Sequence, residues 1–303
     1  MKRFMKKLLV TVLAATMLIG PGSTVLADGV DGTGTSDVYV SFGADLTAEQ
    51  KTTVMGMFGI TEADLANYAV GSITNADEQK YLGSYLSADV IGTKALSCVM
   101  VTKKDAGAGI AVTTTNISYC TAGMYTNALI TAGIEDAEVK VAGPFSISGT
   151  AALVGAMQAY SKMTGQEISQ ESMDAAVNEI VVTGDIAESV GDSEKVEELV
   201  AYVKTEVVEK GLDDPEDIRA ALDAASEEMG VELSDDEKQQ IVDLMGKIND
   251  LDLDVDAMKE QATELYDKIK ELDIDTEGLS DSIGDFFTNI IDSIKGFFDE
   301  LFD

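Results

Sequence analysis

Near residue 165 the chain stops mixing strand-like with helix-like patterns and becomes almost entirely helical, which sharply limits what it can fold into. Before that point, period-2 apolar patterns rich in β-branched residues predict strands over Val38–Phe42, Tyr68–Ile73, Ala95–Thr102, Ile110–Ile117 and Ala137–Ala142. Spacing near 3.6 predicts helices over Thr47–Phe58, Ala76–Leu86, Ala122–Ala132 and Ala151–Lys162, with Thr61 or Asn75 capping nearby starts. This order implies an α+β fold: an N-terminal mixed-sheet α/β-type domain over residues 28–165, then an acidic all-helical C-terminal region over residues 166–303. Charge divides the chain in the same way. Residues 28–160 hold 14 acidic and 6 basic residues, and residues 161–303 hold 41 and 11. Asp105-Ala106-Gly107-Ala108-Gly109 joins two predicted strands and reads as a hairpin loop; no helix follows it, as a phosphate-binding glycine loop requires.

In the helical half, Pro215 fits a first helical turn behind Asp213 and Asp214, and Ser234 with Glu237 makes a capping box. From Ile241 the apolar positions run through Leu244, Ile248, Leu251, Val255, Met258, Ala262, Leu265, Ile269 and Leu272 in 3-4 alternation, predicting one long heptad helix. Its partner is expected within the chain, where Val196–Val207 and Ile218–Met229 are amphipathic, with coiled-coil self-association as the alternative. A last helix from about Ser280 carries an apolar stripe that includes Phe286, Phe287, Ile290, Ile294, Phe297 and Phe298. Such a stripe packs inward, docks a partner protein or lies on a membrane. Its polar face, with Asp281, Asp285, Asp292, Asp299, Glu300 and Asp303 against Lys295, disfavours an anionic membrane.

The first 27 residues read as a secretory signal peptide. Lys2, Arg3, Lys6 and Lys7 form a basic start, Leu8 to Ile19 an apolar run too short for a stable span, and Val25-Leu26-Ala27 a small-residue cleavage site near Ala27. No Cys follows for lipid attachment, and no later apolar run reaches the ~20 residues of a transmembrane span. The expected location is therefore extracellular or at the cell envelope. Removing this segment takes away four of the 21 basic residues and none of the 55 acidic ones, leaving 17 against 55, a net of −38. A chain of that sign is repelled by nucleic acid. Cys98 and Cys120 would meet an oxidising exterior, but around the expected hairpin residue 98 opposes a position near 116, so a disulfide is disfavoured.

The sequence contains no His, which removes the usual catalytic base, the His-containing triads and the commonest metal ligand. No nucleophile elbow or Walker-type loop is present, and two Cys without His make no ordinary zinc site. No cofactor is expected. Calcium is the one candidate, because Asp273, Asp275, Glu277, Gly278 and Asp281 match EF-hand-like loop positions, although Gly284 stands where a bidentate Glu belongs. Asp250, Asp252, Asp254 and Asp256 also alternate, without a turn glycine, and read as a solvated helix face.

Several longer segments carry a family resemblance: Gly43-Ala44-Asp45-Leu46, Tyr81-Leu82-Gly83-Ser84-Tyr85, Asn116-Ile117-Ser118, and the run from Met124-Tyr125-Thr126-Asn127-Ala128-Leu129 to Pro144-Phe145-Ser146-Ile147-Ser148-Gly149-Thr150-Ala151-Ala152-Leu153. These resemble family 1002 of the domains of unknown function, the YpuA-like exported proteins of Gram-positive bacteria. The resemblance implies an exported protein with an α+β part and a helical part, and brings no activity, cofactor or catalytic residue with it. Within those segments Ser148 or Thr150 is expected to cap the helix near Ala151, whose amino end would otherwise receive an anion. Tyr81, Tyr85, Lys94, Asn116, Tyr125 and Asn127 lie near predicted strand ends and form a candidate binding face. The leading expectation is a non-enzymatic binding or interaction module whose partner is an envelope protein or wall component. A carboxylate-dependent hydrolase of cell-wall polymer is the alternative.

Overall fold

The computed structural model describes residues 36–251 together with Leu253, Val255 and Met258. The expected signal segment, the calcium candidates Asp273, Asp275, Glu277 and Asp281, and the Phe-rich stripe from Phe286 to Phe298 lie outside the described residues. The α+β part runs β1 (Val38–Gly43), α1 (Ala48–Phe58), β2 (Ala69–Ile73), α2 (Asn75–Leu82), α3 (Ala88–Ile91), β3 (Cys98–Lys103), β4 (Ile110–Ile117), α4 (Ala122–Thr131), β5 (Ala137–Ile147) and α5 (Thr150–Thr164). Among the described residues four more helices follow: α6 (Gln170–Val190), α7 (Ser193–Lys210), α8 (Pro215–Met229) and α9 (Asp235–Asn249).

The five strands form one mixed sheet in the order β2-β1-β3-β5-β4. β1 pairs parallel with β2, β3 pairs antiparallel with both β1 and β5, and β4 pairs parallel with β5. This corrects the expected hairpin around Asp105–Gly109, because β5 lies between the two strands that the loop connects. Asp136 fixes the insertion. Its carboxylate accepts from the Gly109 amide at 2.9 Å, and the next residue, Ala137, donates its amide to the Gly109 carbonyl at 3.0 Å.

Alternation along the strands divides the side chains between two cores. Val40, Phe42, Cys98, Met100 and Ala142 meet Val54, Met55 and Phe58 of α1, while Val99, Val101, Val139 and Val141 meet α4 and α5 on the other face. Cys98 and Cys120 are both free and buried in different cores, so the sheet itself keeps them from pairing.

Helix starts follow side-chain capping. Thr47 with Gln50 and Thr74 with Asp77 make capping boxes, so α2 is capped by Thr74 rather than by Asn75, which is its first helical residue. Asp214 caps α8 ahead of Pro215, and Ser234 with Glu237 caps α9. Ile241, Leu244 and Ile248 of the heptad stripe are buried against α6, α7 and α8, but α9 ends at Asn249 with Asp250 as its C-cap. The stripe therefore does not continue as one helix through Asp250.

The helical half is joined to the sheet layer by polar bonds as well as apolar packing. Lys204 of α7, 1% exposed, donates to Glu179 of α6 at 2.9 Å, to the Asn127 carbonyl of α4 at 2.9 Å and to Thr131 at 3.2 Å. Thr131 in turn donates to the second Glu179 oxygen. Each partner of this buried ion pair is thus hydrogen-bonded beyond the pair itself, the arrangement that offsets the cost of taking both charges out of water.

Candidate functional site

A pocket of about 300 Å³ opens at the amino end of α5, between α2, α3 and the approach to β3. Its lining includes Glu78, Asp89, Lys94, Ser97, Ser148 and Thr150, with Val90, Ile91, Leu96 and Ile147 as apolar wall. The α5 start is built around Gly149, whose φ of 97° suits glycine and which offers no side-chain cap. Neither Ser148 nor Thr150 caps the helix, contrary to the expectation from the sequence. Instead Ser97 accepts from the Ala152 amide at 2.9 Å, and the Tyr125 hydroxyl, wholly buried, donates to the Gly149 carbonyl.

Negative charge at this helix end comes from another helix. Glu78 of α2 is 1% exposed; its Oε1 accepts from the Thr150 hydroxyl at 2.7 Å, while Asn75 donates to its Oε2 and to the Gly92 carbonyl. Burial pushes the Glu78 carboxyl up, opposed by the Thr150 and Asn75 hydrogen bonds and reinforced by Asp45 and Asp77. A carboxylate beside a helix amino end is also favoured by the helix dipole. The place where the sequence suggested an external anion is thus occupied by the protein's own carboxyl group.

The candidate binding face does not assemble as one surface. Lys94 lines the pocket and Tyr125 supports it from behind. Tyr81 lies beside Lys80, which donates to its hydroxyl at 3.0 Å, and the Tyr85 ring lies under Lys247. Asn116 adopts φ 59° at the β4 irregularity and donates to the Gly143 carbonyl at 3.1 Å. Asn127 is buried and donates to the main-chain carbonyl of Glu197. Glu78, Asp89, Thr93 and Ser97 are pocket residues that the sequence reading missed. Glu78 left one legible trace: it stands four residues before buried Leu82, on the apolar side of a short helix.

A second group of carboxyls lies at the contact of α4 with α7. Thr121, the N-cap of α4, donates to Glu197, and the Glu197 carboxylate packs so closely on Gly123 that a Cβ there would push it aside. Burial raises the Glu197 carboxyl from an ordinary 4.5 to about 7, against the Thr121 hydrogen bond and with help from Glu194 and Asp192. Glu198 rises to about 7 for the same first reason, with repulsion from Glu194, Asp192 and Glu197. Among the described residues no three acidic or cysteine side chains gather as a metal site, and no helix is long and apolar enough to cross a membrane.

The family profile described as "Protein of unknown function (DUF1002)" matches residues 42–284. A curated relative, "Uncharacterized protein YpuA" of Bacillus subtilis (strain 168), is 37% identical over 252 residues, covering 82% of this chain and 84% of its own length. No solved structure matches. The profile thus spans both the sheet and the helices packed on it, and the chain belongs to the DUF1002 family.

Proposed function

We propose that the protein is an exported, non-enzymatic binding module of the cell envelope, and that the pocket at the amino end of α5 is its recognition site. The observation that carries this reading is the composition of the pocket: an aliphatic wall, a lysine, an exposed aspartate and a buried carboxyl around about 300 Å³. That volume is at the small end of ligand sites and fits a compact ligand or a chain end better than an extended polymer. Export rests on the signal-like first 27 residues and would be checked by finding the shortened chain outside the cell. The binding test is retention of soluble wall fragments by the purified protein and by Thr93→Trp, which places a large ring at the exposed rim. Retention that falls with Thr93→Trp supports the reading; retention unchanged in a folded variant removes the pocket from it.

The alternative, a carboxylate-dependent hydrolase, gains one observation: Glu78 and Asp89 line the same pocket. Against it, both Glu78 oxygens already accept hydrogen bonds from the scaffold. Fragment release from purified wall at some value between roughly pH 4 and 8, abolished by Asp89→Asn, would favour hydrolysis over binding.

A further inference from the structure

We infer that the ligand of this pocket is a small aliphatic zwitterion, an amino acid or dipeptide with free ammonium and carboxylate groups, an inference that rests on the binding reading above. Asp89 and Lys94 line one pocket with opposite charges, and neither makes an ion pair or side-chain hydrogen bond with any described residue. Two opposite charges that share a cavity without meeting leave a negative and a positive pole for a ligand to bridge. A plain anion is disfavoured, because the amino end of α5 already holds the Glu78 carboxyl and a second negative group there would face it. A plain cation would leave Lys94 unmatched. Between the poles, Val90, Ile91, Leu96 and Ile147 offer an apolar wall suited to a short aliphatic side chain. The ligand's ammonium is assigned to Asp89, its carboxylate to Lys94 and its side chain to this wall.

The experiment is calorimetric titration of the purified full chain with alanyl-alanine, N-acetyl-alanyl-alanine and alanyl-alanine amide. The free dipeptide should bind, and blocking either end should weaken binding by about tenfold or more. Asp89→Asn should bind the free and N-acetylated forms alike, and Lys94→Gln should bind the free and amidated forms alike. Both residues are exposed, so both variants should keep the wild-type circular dichroism and melting point. No binding of the free dipeptide, or equal binding of all three compounds, overturns the inference. If wall fragments still bind in a manner sensitive to Thr93→Trp while the dipeptide does not bind, the zwitterion falls and the pocket stands; if Thr93→Trp changes the binding of neither wall fragments nor dipeptide, both fall.

Discussion

Glu78 shows how one side chain can serve two helices. Its backbone belongs to α2, but its carboxyl completes α5, where Gly149 supplies the backbone turn and no cap. Glu78→Gln should keep an acceptor for Thr150 and change stability little at neutral pH, since it also removes a carboxylate that burial disfavours. Glu78→Ala should cost about 1–3 kcal/mol in chemical denaturation, because it takes the carboxylate acceptor away from the buried Thr150 hydroxyl. Equal losses in the two variants would mean that the carboxyl contributes through volume and not through its hydrogen bonds. Such a residue was hard to find from sequence, because its partner Thr150 is far away in the chain and nothing in the local pattern of α2 names it.

At the scale of elements, the Lys204–Glu179 pair links α6 to α7, and its further bonds reach α4. Lys204→Met leaves Glu179 and Thr131 buried without their cation and should cost about 3–5 kcal/mol, read from the denaturation midpoint. The double variant Lys204→Met/Glu179→Leu should recover much of that loss, because an apolar pair carries no desolvation cost. A double variant as unstable as the single one would show that the contact to α4 matters more than the charges. The elements themselves were largely legible in the sequence. Ile110–Ile117 was read with its observed bounds, and Asp214, Pro215 and the Ser234 capping box start helices as local chemistry predicts. What the pattern missed was adjacency. Two strands joined by a glycine-rich loop look like a hairpin, and only tertiary packing reveals that β5 enters between them. The heptad stripe misled for a related reason: apolar spacing persists past Asn249, although the helix stops there. The pocket was legible through Lys94, the α5 start and, faintly, the place of Glu78 on α2; Asp89 falls between predicted elements, and Ser97 sits inside a predicted strand whose pattern says nothing of a pocket.

For the whole molecule, the burial of particular carboxyls sets the direction in which stability follows pH. Glu197 and Glu198 have folded values near 7 against an ordinary 4.5, so the native state holds protons that the unfolded chain releases. Their stabilising contribution is complete below about pH 4.5 and is lost as pH rises through about 7. Asp64, Asp77 and Glu237, whose carboxyls are lowered first by hydrogen bonds from Thr61, Thr74 and Ser234, act in the opposite sense and lose their contribution in stronger acid. The melting temperature should therefore be higher near pH 5 than near pH 8, and Glu197→Gln with Glu198→Gln should flatten that slope. A melting temperature that rises from pH 5 to pH 8 would contradict the assignment. The position of β5 also sets a schedule for folding. A chain that emerges amino end first delivers β1, β2, β3 and β4 before the strand that belongs in their midst. Among the described strands β4 pairs with β5 alone, so until residues 137–147 arrive β4 has no strand partner, and its place in the sheet depends on contacts made late in the chain.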